Sequence, residues 1–348
     1  MEMDGSDQRN RGGDRAWKRP LFIAIAALLG VALSFAILEL MVRMTGRIPW
    51  HNLRLKENEP TMFEADARLG WKPIPGRHVI APYSEGAPAI QMTLLPDRGR
   101  TTGAGGDGHA KLLFVGCSFT QGWAIPDDET FAWRLQQQFP SLSVLNRGVA
   151  AYGTYQSLLV MEQALAGPER PEMVFYGFIE EHEPRNVAAP AWLLLLALGS
   201  RAGMGSTPYC TLAEDGTLIR HEPESYTRWP LRQYSALITF LEWRYFELEA
   251  GDRGSQQQAV TEQLMLEMQR IAEQHSSRFC VVLLHVSPTG RAHYVDFLER
   301  HHIDFVDCAY PITDALHVRG EVHPNGVMNQ RYADCIAEKI AATGIAYR

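Results

Sequence analysis

From Lys111 onward the sequence predicts an α/β domain: a three-layer αβα sandwich on a central parallel sheet, with one transmembrane helix ahead of it. Short apolar runs recur along this part of the chain, and amphipathic segments of helical length separate them. Strands that alternate with helices imply a parallel sheet covered on both faces. A single long apolar stretch near the N-terminus stands apart from this pattern.

That stretch, Leu21 to Val42, carries one ionisable residue, Glu39, near its far end. Its 22 residues, at ~1.5 Å each, give roughly 33 Å against a hydrocarbon core of ~30 Å. Arg9, Arg11, Arg15, Lys18 and Arg19 precede it, and Arg43 and Arg47 follow. The basic excess predicts a cytoplasmic tail over residues 1–20 and a body on the periplasmic side of a cell inner membrane. A cleaved signal peptide is the rival reading, but the run is long for one and no clean small-x-small site precedes polar sequence. A buried helix fits poorly, because the run is apolar on every face.

Residues 43–110 are rich in Pro, Gly and Arg and show no sustained period. They read as an extended lead-in, with turns in DARLGWKPIPG (Asp66 to Gly76). Arg98 to Ala110 reads as a flexible loop. Its glycines precede a strand instead of linking a strand to a helix, which argues against dinucleotide binding.

The domain proper spans 111–348. Lys111 to Val115 is the first buried strand, and Thr130 to Phe139 an amphipathic helix. Ser143 to Asn146 and Met173 to Ile179 are strands on either side of a helix over Tyr155 to Ala166. Gln256 to His275 is a helix, Phe279 to His285 a buried strand, and Arg291 to Arg300 a helix. Ile303 to Val306 and Asn325 to Ala342 close the pattern as strand and helix. An insertion at about 184–255 interrupts it. Its apolar piece, Ala189 to Gly199, is too short to span a bilayer and reads as a packed helix or a lid.

Composition narrows the function. The chain has 348 residues, 46% hydrophobic and 21% charged, with a formal net charge of −7. That is a globular composition with no overall attraction to nucleic acid. Cys117, Cys210, Cys280, Cys308 and Cys335 form no CxxC pair, so a zinc ribbon or thioredoxin-like motif is not indicated. An oxidising compartment would permit a disulfide, but the spacing names no pair. Glu180 to Glu183 (EEHE) offers oxygen and nitrogen ligands, yet neighbouring residues rarely converge on one metal, and no HExxH supports a site. Neither a metal nor another cofactor is expected.

In α/β sheets, ligands bind beyond the carboxyl ends of the strands, and three segments stand out there. GCSFTQG (Gly116 to Gly122) places Ser118 on a tight turn, where backbone N–H groups at a helix start can stabilise an oxyanion. A serine in this place is also an ordinary helix cap. NRGVAAYGTYQ (Asn146 to Gln156) holds Gly148 and Gly153, which allow close backbone approach. GEVHPNG (Gly320 to Gly326) holds His323 before a proline turn, where it can accept a serine proton or simply cap the helix.

In order and spacing, LLFVGCSFTQG, NRGVAAYG and HPNG resemble the SGNH (GDSL-like) hydrolase family. The resemblance runs from about Asp66 to the C-terminus without the insertion, and LGWKPIPG resembles the lead-in of membrane-anchored members. It implies Ser118 as nucleophile, His323 as base, and Gly148 as an oxyanion donor beside the N–H of Ser118. An α/β-hydrolase is disfavoured: there is no GxSxG, and the serine precedes most of the sheet.

Two positions depart from the family. Its third motif supplies an oxyanion Asn, whereas FYGFIEEHEPRN (Phe175 to Asn186) places Glu181 or His182 there. A carboxylate repels an oxyanion, so His182 is the expected substitute donor. The family's Asp three residues before the His is Gly320 here, which leaves Glu321, Asp314 or no acid at all to orient His323. Cys117 also stands where the family has a structural Asp.

The function expected is an extracytoplasmic serine esterase acting on an ester, O-acetyl groups among them, through an acyl-enzyme. An acylated small molecule, polysaccharide or lipid is the expected substrate, and residues 21–42 the membrane contact. The alternatives are an O-acyltransferase of cell-envelope polysaccharide and a non-catalytic SGNH-like subunit with an envelope-complex partner.

Overall fold

The computed structural model describes residues 18–50, 61–103, 110–168, 170–199 and 205–345. Residues 1–17 of the expected tail, with Arg9, Arg11 and Arg15, lie outside them, as do 104–109 of the expected loop. In chain order come helix α1 (Lys18–Met44) and strands β1 (Phe63–Asp66), β2 (Gly70–Pro73), β3 (Gly76–Ile80), β4 (Ile90–Leu94) and β5 (Ala110–Gly116). Next are α2 (Ser118–Gln121), α3 (Phe131–Gln138), β6 (Leu142–Asn146), α4 (Thr154–Ala166) and β7 (Met173–Ile179). The insertion holds α5 (His182–Asn186), α6 (Pro190–Gly199), β8 (Ser206–Leu212), β9 (Leu218–Ser225) and α7 (Ala236–Ala250). Finally come α8 (Gln257–Gln274), β10 (Arg278–His285), α9 (Pro288–Arg300), β11 (Phe305–Asp307) and α10 (Gly326–Thr343).

The chain divides into two compact units. One is Met1–Asn52 with Thr227–Glu249, and the other is Leu53–Tyr226 with Ala250–Arg348. In the first, α1 is 27 residues long, apolar enough to cross a membrane and unburied along its length. Its lone carboxylate is fully partnered. Glu39 accepts from the Ser235 hydroxyl at 2.7 Å, from the N–H groups of Ala236 and Leu237 at 2.9 and 2.8 Å, and from Arg43 Nε at 2.6 Å. It thus satisfies free N–H groups at the start of α7, a role that needs a partner almost two hundred residues away.

In the second unit, five parallel strands pair in the order β11-β10-β7-β5-β6. Alternate strand residues feed two apolar layers, as the period of two requires. Leu112, Phe114, Phe175 and Val282 face α3 and α10, while Leu113, Val174, Val281 and Leu283 face α4, α8 and α9. The αβα sandwich is therefore complete. Sheet order reverses between β5 and β7, and the crevice at such a switch point is where α/β sheets take ligands.

The lead-in differs from expectation. It is not an extended approach but two antiparallel hairpins, β1–β2 and β3–β4, built into the body. Trp71, Ile80, Met92 and Leu94 pack with Val149 and Tyr152 of the loop after β6 and with Trp192 of α6. The indole of Trp71 donates to Ala150 O at 3.2 Å, and the Tyr152 hydroxyl donates to Trp71 O at 2.5 Å. Of the two readings of α6, packing holds: Leu193 and Leu196 are buried in the body.

Arg98 to Gly103 is likewise ordered, contrary to the flexible loop expected of a glycine-rich stretch. Its backbone bridges β4 to β6 through Arg100, whose N–H donates to Asn146 O at 2.8 Å. The Arg100 side chain is fully buried. It donates to Asp127 at 3.0 Å, to Gln121 O at 3.1 Å, to Ile125 O at 2.6 Å and also to Gly122 O. A guanidinium fork satisfied on this many sides fixes the backbone around it, and losing one partner of a buried pair leaves an uncompensated charge. Arg100→Met strands Asp127 and those carbonyls, and the expected loss is about 3–5 kcal/mol in urea unfolding of the purified chain.

Candidate active site

The site is assembled from the C-terminal edge of the sheet. β5 ends at Gly116, and the chain turns at once into α2, where Ser118 is the first residue. Being first, its N–H has no acceptor within the helix. Gly122, in the left-handed conformation at φ 79°, ends the short helix, and the Arg100 fork holds the carbonyls of Gln121, Gly122 and Ile125 around it.

The loop after β6 leans directly on this turn. A Cβ on Gly148 would lie 2.5 Å from Gln121 N and 2.8 Å from the Thr120 carbonyl carbon, so only glycine fits. Asn146 bolts the two loops together: its Nδ2 donates to Thr120 O at 3.0 Å, and its Oδ1 accepts the Gly148 N–H at 3.1 Å. Gly148 therefore reaches the serine turn with its N–H already paired.

His323 comes from the loop before α10. Pro324 and Asn325 follow it, and the Asn325 side chain caps α10 by accepting from Val327 N and Met328 N at 3.0 and 3.1 Å. The same amide donates to Ala315 O at 2.8 Å, which closes the loop on itself. His323 Nε2 lies 2.8 Å from Ser118 Oγ, across 205 residues of sequence. Its Nδ1 is hydrogen-bonded to Glu321 Oε1. Ser118 is only 6% exposed, and the side chains of His323 and Glu321 are largely covered.

Of the two candidate acids, the structure brings Glu321 to His323. Asp314 is fully exposed and faces His317 Nε2 instead, at 3.5 Å. The local backbone explains why the acid is not three residues before His323. Gly320 adopts φ +82°, and a Cβ there would sit 2.4 Å from Tyr83 O of the lead-in. No aspartate fits that position, and the next residue supplies the carboxylate.

His182 is not brought to the serine. Its ring is fully buried against Tyr176 and Phe178, on the opposite face of the sheet from Phe119. Nδ1 meets the Tyr176 hydroxyl at 2.7 Å, and that hydroxyl donates to Thr154 Oγ1 at 2.6 Å. Nε2 has no partner among the described residues. Burial, with Arg185 nearby, holds the ring well below the ordinary histidine pKa, so it is neutral. Shut in the core against these partners, the ring is not presented at the serine turn.

The EEHE carboxylates diverge. Glu180 accepts from Ser287 N at 2.6 Å, and Glu183 from the Tyr294 hydroxyl at 2.7 Å. Glu181 pairs with His285 Nδ1 at 3.3 Å. Sequence reasoning did not single out His285, which ends β10 and lies 5.5 Å from the Phe119 ring, centroid to centroid. Phe119 in turn lies 5.6 Å from His323, and Trp123 flanks it at 6.4 Å. Phe119 and Trp123 follow the serine within one turn and the next, which is the signal that could have marked them.

No family model matches this chain, and no curated protein matches it. Solved structures do. They include a GDSL-like lipase from Bacteroides thetaiotaomicron, at 14% identity and TM-score 0.36, covering 68% of this chain and 89% of that one. The chain is similar in structure to GDSL-type hydrolases. An esterase from Pseudoalteromonas sp. matches at 11% identity and TM-score 0.37, over 66% of this chain and 98% of its own. A catalytic mutant of an acetylxylan esterase from Geobacillus stearothermophilus matches at 12% identity and TM-score 0.36, over 68% and 97%.

The rim pair is open to a direct measurement. The hydrogen bond that His285 donates to Glu181 raises its pKa above the ordinary histidine value, against the opposing effect of burial. A raised histidine stabilises the fold fully below its unfolded pKa and loses that contribution as pH rises through the folded one. Glu181→Gln should move the His285 titration, followed by imidazole NMR shifts, to lower pH.

Proposed function

We propose that the chain is an extracytoplasmic serine esterase of SGNH type, with Ser118, His323 and Glu321 as its triad. One observation carries the reading: Ser118 Oγ stands 2.8 Å from His323 Nε2 while Glu321 holds the other ring nitrogen. A nucleophile, a base in hydrogen-bond reach and a third group orienting the base are the parts that acyl transfer needs.

His323 Nε2 takes the Ser118 proton as Oγ attacks the acyl carbonyl. Glu321 fixes the ring with Nδ1–H toward itself and stabilises the imidazolium that forms. The Ser118 N–H, at the start of α2, donates to the tetrahedral oxyanion. Collapse breaks the bond to the alcohol oxygen, which leaves with the proton from Nε2. Water, deprotonated by the same nitrogen, then releases the acid and regenerates Ser118. A sugar hydroxyl in place of water would turn the same acyl-enzyme to O-acyl transfer.

Two features support a place outside the cytoplasm. The apolar helix α1 follows a basic N-terminal segment, which favours a cytoplasmic N-terminus. Cys308 and Cys335 form a disulfide, a bond rare in reducing compartments, and it brackets the loop that carries Glu321 and His323. At a membrane surface, acylated polysaccharide or lipid is the substrate class proposed.

A fluorophosphonate probe tests the mechanism on the full-length chain. Labelling should occur on the wild type and vanish in Ser118→Ala. Glu321→Gln should lower kcat on a generic acyl ester by roughly 10²–10⁴-fold with the fold retained. A folded wild type that takes no label would replace this reading with the non-catalytic subunit.

A further inference from the structure

The unit formed by α1 and residues 227–249 carries a second apolar surface that the esterase reading does not use. Along and just before α7, Tyr234, Leu241, Tyr245 and Leu248 are 68%, 45%, 48% and 75% exposed. Leu241, Tyr245 and Leu248, spaced by four and three residues, lie along one face of α7, and Tyr234 sits in the turn just before it. The opposite face is also apolar, with Ala236, Phe246 and Ala250 buried. A helix apolar on both sides needs a non-aqueous neighbour for the outer one. At 15 residues, α7 extends about 22 Å and cannot cross a ~30 Å hydrocarbon core itself.

Resting on the reading of α1 as a membrane span, we infer that α7 lies in the bilayer interface and presents this stripe to lipid. Its height relative to the span is fixed by hydrogen bonds. Glu39, which accepts from Ser235, Ala236 and Leu237, lies five residues before the end of α1 at Met44, or roughly 7 Å along the axis. That depth matches the ~5–10 Å to which interfacial helices bury their apolar faces.

The surroundings have interfacial chemistry. Trp50 and Trp243 meet edge to face at 5.8 Å, and Arg47 lies over the Phe240 ring at 4.4 Å. Tryptophan, tyrosine and snorkelling arginine gather at headgroup level. The exposed Arg244–Glu247 pair gives the flank of α7 a polar edge. Continuity with the apolar span favours lipid over a second protein as the occupant.

The test uses the full-length chain in vesicles of phosphatidylethanolamine and phosphatidylglycerol. Single cysteines at Leu241, Tyr245 and Leu248 carry an environment-sensitive fluorophore, with Leu29→Cys as a mid-span reference and Glu214→Cys as an aqueous one. The three α7 probes should be quenched by nitroxide-labelled lipid several-fold more than the Glu214 probe, and shielded from iodide. Quenching by iodide to the level of Glu214, with Leu29 still lipid-quenched, would overturn the proposal and leave the span intact. Shielding from both quenchers would place a protein on the stripe and also overturn it. A Leu29 probe open to iodide would overturn the span, and the proposal with it, without touching the esterase reading.

Discussion

The buried guanidinium of Arg100 is the constraint on which the site depends. It takes a cation out of water and surrounds it with Asp127 and the carbonyls of the turn that follows Ser118. Such a charge is tolerable only when nearly every donor finds an acceptor, and the geometry that satisfies it therefore becomes rigid. The backbone of the same residue bridges β4 to Asn146, and Asn146 ties the loop after β6 to Thr120. Lead-in, serine turn and second loop are thus one hydrogen-bonded assembly. A serine on a short turn gains the fixed position that a nucleophile requires.

The lead-in shapes the other half of the site as well. Tyr83 O occupies the space where a side chain at Gly320 would go, and the Tyr83 hydroxyl accepts from the Trp123 indole at 3.1 Å. Trp123 in turn flanks His323. Displacing the acid by one residue, to Glu321, is then a consequence of packing the hairpins against this loop. The third member of a triad orients the base, so its origin in the sequence matters less than its hydrogen bond to Nδ1.

The sheet was legible from sequence because its signals are local. Five apolar runs of strand length, each followed by a helical period, name the strands and the layers without any long-range information. Ser118 and His323 were legible because short ordered motifs mark both. Arg100 was not, since a lone arginine in a glycine-rich stretch looks solvated until the carbonyls around it are placed. The hairpins of the lead-in escaped for a related reason: four- and five-residue strands give too little alternation to register. His182 misled because position in a motif says nothing about which face of the sheet a ring takes. Glu39 could be read only as a charge out of place, because the N–H groups it accepts lie far along the chain.

The oxyanion arrangement turns on magnitudes. The Gly148 N–H is paired with Asn146 Oδ1, so Gly148 stands at the serine turn as a donor already in use. Taking that donor away would leave the buried Asn146 Oδ1 unsatisfied, at a cost of about 1–3 kcal/mol. A donor aimed at a developing oxyanion contributes about 2.7–4 kcal/mol to the transition state. The two ranges meet, so the resting bond to Asn146 offsets a large part of what a Gly148 donor could contribute. Asn146 would keep its grip on Thr120 through Nδ2 during that exchange, and the serine turn would stay in place. No comparable exchange is open to His182, whose fully buried ring is held against Tyr176 and Phe178. The two candidate donors are therefore unequal here, because Gly148 lies against the serine turn and His182 is shut in the core.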